Sequence, residues 1–129
     1  MSEFTIGSIV TAFYKTGKYI GEITDIRPQS YLVRVHAVLK HPMQGDLHHP
    51  KDTAVSIFHE RKALSFREQM NATKQMVKPY LEEQIPPYQE SLQVAIEKLE
   101  SALLQDKENK EFSNMSLKNL EVLKKEYFK

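Results

Sequence analysis

From Tyr31 to Leu39 every odd position is apolar (Tyr31, Val33, Val35, Ala37, Leu39), with Arg34 and His36 among the residues between them. A strand repeats its side-chain direction every two residues and a helix about every 3.6, so only an extended chain gathers this set onto one face. The stretch is therefore a strand with one buried face and one partly wet face. The residues before it fit the same reading. Ile9 to Tyr14 is rich in β-branched and aromatic side chains, which suit a pleated surface. Lys15-Thr16-Gly17-Lys18 reads as a hairpin turn, with Gly17 as the residue that supplies a positive φ. Tyr19 to Ile26 returns as a second strand, with a bulge or sharp bend at Gly21. Pro28 marks a second turn at Arg27-Pro28-Gln29-Ser30. Pro42 ends this strand, and a long polar loop spans residues 40–53; Val55 to Phe58 then reads as a fourth strand, and Leu64, Phe66 and Met70 as a fifth. Short strands joined by tight turns predict a small SH3-like β-barrel over residues 1–70, with an OB-type barrel as its competitor.

The period then changes. Leu92, Ala95, Ile96, Leu99, Ala102 and Leu103 recur at helical spacing, and Pro86-Pro87 sits where proline is tolerated, at a helix start. Leu117, Leu120, Leu123 and Tyr127 form a second stripe, with Ser116 as the expected N-cap and residues 107–114 as the connecting loop. Met76, Val77, Tyr80 and Leu81 suggest a shorter helical piece kinked at Pro79. The fold class is thus α+β: a barrel, then a helical hairpin or small bundle over residues 71–129. A half-chain of this size buries too little surface to stand alone, so the two parts should pack on each other, with Leu99 at the interface.

Charge and composition narrow the function classes. The chain carries 18 Lys/Arg against 17 Asp/Glu, with no basic excess on any one element, which speaks against nucleic acid as a partner. There are no cysteines, which removes disulfides, thiolate nucleophiles and Cys-based metal sites. No run approaches the ~20 apolar residues of a membrane span, and the first residues lack the basic and apolar regions of a signal peptide. The expected location is the cytoplasm, with membrane contact made through a partner.

Five histidines, His36, His41, His48, His49 and His59, raise the question of a metal. Their spacing does not support one: His59-Glu60 opens a His-Glu-x-x-His pattern, but Ala63 stands where the second ligand belongs. There is no nucleophile elbow and no Gly-rich phosphate loop. The reading is a non-enzyme without metal or cofactor. Phe13, Tyr14, Tyr19 and Tyr31 offer an alternative, a Tudor-like barrel that reads a peptide or nucleic acid through exposed aromatics.

Tyr14-Lys-Thr-Gly-Lys-Tyr-Ile-Gly-Glu22, Leu32-Val-Arg-Val-His-Ala-Val-Leu-Lys-His-Pro-Met-Gln-Gly-Asp-Leu-His48, Phe58-His-Glu-Arg61, Phe66-Arg-Glu-Gln69 and Gln75-Met-Val-Lys78 together resemble the kinase-associated protein B family of Bacillus-type bacteria. The resemblance runs over nearly the whole chain, and the segment 40–48 is its most specific part. It implies a positive regulator of a membrane sensor histidine kinase that feeds the sporulation phosphorelay. The family is also called a kinase-associated lipoprotein, from which this chain departs in having no cysteine to carry a lipid. The family supplies no catalytic residues. Polar residues on a long loop and a nearby strand end are where a scaffold commonly displays binding groups. The candidate partner-binding set is therefore His41, Gln44, Asp46, His48, His59, Glu60 and Arg61, with the loop side chains expected to be wet.

Overall fold

The computed structural model describes residues 4–45 and 58–129. Three long strands, β1 (Ile9–Tyr14), β2 (Gly17–Ile26) and β3 (Ser30–Lys40), form an antiparallel meander. Two short strands, β4 (Gln69–Thr73) and β5 (Val77–Pro79), follow on either side of a 3₁₀ turn, Lys74–Met76. The sheet order is β4-β3-β2-β1-β5. Among the described residues β4 and β5 are its two edges and do not pair with each other. Among the described residues the barrel expected over residues 1–70 is therefore an open five-stranded sheet, and its strands run on to Pro79, into the stretch read as helical. Two helices complete an α+β fold, α1 (Tyr88–Gln105) and α2 (Lys110–Tyr127).

The alternation in β3 decides the inner face. Tyr31, Val33, Val35 and Ala37 are buried, but Val38 is buried too and Leu39 faces out. The register shows why: Ile20 pairs with Ala37 and Gly21 with Val35, leaving His36 as an extra residue on β3 that reverses the phase, so Val38 joins the core and Leu39 turns out. The Val38 N–H donates to Ser91 Oγ at 2.9 Å, which places α1 across the bulge. At that shift a Cβ on Gly21 would run into the Arg34 carbonyl oxygen, and another shift, between Lys18 and Tyr19, leaves Leu39 unpaired.

One core lies between the sheet and the first half of α1, where Leu92, Ala95 and Ile96 are buried against Val10, Ile23, Val33 and Met70. A second lies between the helices, built from Leu103, Phe112, Leu120 and Leu123. Leu99 is only half-buried and Ala102 is exposed, so the apolar stripe of α1 is narrower than expected. Helix α2 begins at Lys110, inside the stretch read as a loop, and Ser116 is a buried interior residue rather than an N-cap. Lys124 reaches across to Glu100 on α1 at 2.9 Å. Among the described residues no helix is long and apolar enough to cross a membrane.

Candidate functional site

Residues 58–64 were expected to end one strand and begin another. They form no strand. They run as a strap from the helices to the sheet, and side chains satisfy its backbone where a ladder would otherwise do so. The Phe58 ring meets Phe112 of α2 edge-on at 5.9 Å, and the His59 carbonyl accepts from Asn119 Nδ2 at 3.3 Å. Further on, tyrosines from β2, α1 and α2 converge on two consecutive residues. The Ala63 N–H donates to Tyr127 Oη at 2.9 Å, and the Leu64 N–H to Tyr19 Oη at 3.2 Å. Tyr88 Oη donates to the Leu64 carbonyl at 2.5 Å. Burial pushes the Tyr19 and Tyr127 hydroxyls up to about 12 and raises Tyr88 as well, so all three stay protonated in neutral solution.

His41 and Gln44, expected to be wet, are buried at 1% and 2% exposure. Both work on the strap from beneath. Gln44 Nε2 donates to the Arg61 carbonyl at 2.9 Å, and Gln44 Oε1 accepts from the Arg61 N–H at 2.8 Å. The amide group thus reproduces with one residue the paired bonds of an antiparallel neighbour. Arg61 Nε returns a bond to the Gly45 carbonyl at 2.9 Å, and the Gly45 N–H donates to the His59 carbonyl at 2.9 Å. Gly45 has φ +93°, and a Cβ there would sit 2.8 Å from the Phe58 ring.

The bonds of His41 settle its tautomer. The Pro42 carbonyl, 3.0 Å from Nδ1, can only accept, so Nδ1 carries the proton. Tyr127 Oη already accepts from Ala63 and donates its own proton to His41 Nε2, 3.0 Å away. In this arrangement the imidazole is neutral, with Nε2 as the acceptor. Burial, which lowers the His41 pKa, favours the same form, while the Pro42 bond opposes it.

Above this scaffold is an open pocket of about 330 Å³. Tyr14, Tyr19, Pro42 and Leu64 supply its apolar surface; Lys15, Glu60, Arg61 and Lys62 bring charge. The structure therefore brings Glu60 and Arg61 to one pocket, with His59 exposed beside them and His41 and Gln44 below. Asp46 and His48 lie outside the described residues. His36 stands apart on the sheet, 3.0 Å from Glu22. The aromatic cluster does not make one exposed face: Tyr19 and Tyr31 are buried in the core, Tyr14 is half-buried and Phe13 is exposed. The Tudor-like alternative loses its surface. Tyr127, which holds the strap, was read only as a member of a helical stripe, and Tyr88 was assigned no place in a stripe; neither gave a sign that its hydroxyl points at a loop.

A family model described as kinase associated protein B matches residues 14–128. The kinase-associated lipoprotein B of Bacillus subtilis (strain 168) is 56% identical over 128 residues, covering 99% of this chain and 98% of that protein. The crystal structure of kinase-associated protein B from Bacillus cereus matches with a TM-score of 0.80 at 49% identity, over 97% of this chain and 98% of that one.

Proposed function

The chain belongs to the kinase-associated protein B family, and from that premise we propose that it is a non-catalytic regulator that promotes the activity of a sensor histidine kinase in the sporulation phosphorelay through direct contact. The observation that carries this reading is the full-length match to relatives whose names state association with a kinase. Mechanistically, the regulator binds one conformation of the kinase better than another, since a ligand moves an equilibrium only by its differential affinity.

The contact surface we propose is the strap and its pocket. His59, Glu60 and Arg61 present polar groups there, and His41 and Gln44 fix the backbone that carries them. With no cysteine among the 129 residues, a lipid of the usual bacterial thioether type has no attachment point in them. Proximity to the membrane then comes through the kinase itself.

Reconstitution tests this reading. A sporulation sensor kinase in lipid nanodiscs, supplied with ATP, should capture the purified chain and autophosphorylate faster in its presence. Neither capture nor a change in autophosphorylation rate at saturating concentrations would refute it.

A further inference from the structure

The charges around the strap pocket are unevenly balanced. Lys62 is neutralised by Glu126 of α2, 2.8 Å away. Arg61 Nε is engaged by the Gly45 carbonyl; its two terminal nitrogens have no partner among the described residues. The Lys15 ammonium lies 5.5 Å from the centre of the Tyr14 ring, over the apolar wall. Glu60 is the one acid among the described lining residues. Among the described residues the excess is positive, and its Arg61 part is fixed in place. The Arg61 backbone is gripped by Gln44 and its Nε is tethered, so the guanidinium fork is aimed before anything binds. A fork held this way matches a carboxylate in bidentate geometry.

The apolar part is equally specific. Tyr19 and Pro42 are buried, Tyr14 and Leu64 half-buried, and together they line one side of the space. A volume of about 330 Å³ is at the low end of ligand pockets and suits one bulky side chain. Arginine and tyrosine walls around such a space are the residue types that anchor protein contacts.

We propose that the pocket seats one bulky apolar side chain flanked by carboxylates, presented by a segment of the partner protein; this deepens, and rests on, the kinase-binding reading. The apolar group enters against Tyr14, Pro42 and Leu64. One carboxylate meets the Arg61 fork and another meets Lys15. A lysine-flanked segment is rejected by the same two cations.

The ¹⁵N-labelled full chain, titrated with a blocked five-residue peptide holding one phenylalanine between aspartates, tests this. A twin peptide with lysines in place of the aspartates serves as control. Saturable shifts should concentrate at the amides of residues 14–16 and 60–64, with the twin binding about tenfold more weakly or worse. A Lys15→Asn, Arg61→Gln double variant should lose about tenfold in affinity for the aspartate peptide while its spectrum elsewhere stays unchanged. Asparagine tolerates the φ of +54° at position 15, and the Gln44 grip uses only the main chain of residue 61, so the fold is retained. Equal binding of the two peptides, shifts centred elsewhere, or no saturable shift at millimolar peptide would overturn the proposal. The same variant in the nanodisc capture separates the two readings. If it binds the kinase as the parent chain does, the pocket assignment falls and the regulator reading stands. If the parent chain captures no kinase, the regulator reading falls and this proposal, which needs that partner, falls with it.

Discussion

Replacing Gln44 by methionine should unlatch the strap without leaving a hole. The two side chains are close in length and volume, so the cavity contribution is small. What changes is the hydrogen bonding. The Pro42 carbonyl loses the Gln44 bond at 3.1 Å but keeps His41 Nδ1 at 3.0 Å. The Arg61 N–H and carbonyl lose the partners now 2.8 and 2.9 Å away, and no other bond to either is present among the described residues. An orphaned buried group costs about 1–3 kcal/mol. Arg61 is only part-buried, which favours the lower half of that range for each group and a total of about 2–4 kcal/mol.

Urea unfolding of the two proteins at neutral pH measures this, and amide exchange at Arg61 reports whether the loss is local. Gln44→Glu supplies a control whose loss depends on pH. Its carboxylate still accepts from the Arg61 N–H but faces the Arg61 and Pro42 carbonyls without a donor, and it buries a charge. It should be worse than methionine at neutral pH and recover as the pH falls and the carboxyl gains a proton to donate. A loss below about 0.5 kcal/mol for Gln44→Met, in the range of ordinary surface changes, would refute the strap mechanism.

Burial holds His41 below its ordinary value of 6.5, so the unfolded chain takes up the proton first as the pH falls. The stability due to this residue is present above that value and is lost as the pH drops through the lower folded one. A His41→Gln variant should show a flatter fall in urea midpoint between about pH 7 and pH 5 than the parent chain; parallel curves would refute a neutral His41 in the latch. Leu120→Ala, at a fully buried position, should cost about 2–5 kcal/mol, and Leu99→Ala, half-buried, about 1–2 kcal/mol. Equal losses in thermal or urea unfolding would contradict the packing described. Gly45→Ala combines a disfavoured φ with a clash against Phe58 and should cost about 1–3 kcal/mol, seen as a lower melting temperature.

How far the fold was legible depended on whether a periodic face existed to be read. β1, β2, β3 and the turn at Pro28 have one, and their order and pairing follow from it. The hairpin between β1 and β2 was placed correctly but for the wrong chemical reason. The positive φ falls on Lys15, at +54°, and Gly17 is glycine because a Cβ would sit 2.5 Å from the Tyr19 hydroxyl. Val77 was assigned to a helical face with Met76, Tyr80 and Leu81. It is the one buried member of that set, in β5, and Leu81 is 85% exposed. The start of α2 was hidden because Ser113 and Ser116, between Phe112 and Leu120, occupy buried positions that hydropathy gives to the surface.

The strap shows a deeper limit. A strand announces itself because its backbone is satisfied by a neighbour and its side chains are free to alternate. Residues 58–64 reverse that relation: their backbone is satisfied by side chains from β2, α1, α2 and the 41–45 segment, so their own sequence carries no period. The signal lay instead in the bonding capacity of the residues doing the holding. Gln44 and neutral His41 each offer both a donor and an acceptor, which is what an N–H and carbonyl without a ladder require. A carboxylate offers only acceptors and an ammonium only donors, so neither can grip a peptide unit from both sides. Polar residues of the two-sided kind next to Pro42 are therefore ambiguous in sequence, as wet loop groups or as buried clamps. Here the tyrosine hydroxyls decide the matter, since Tyr127 joins Ala63 to the buried His41 in one chain of bonds.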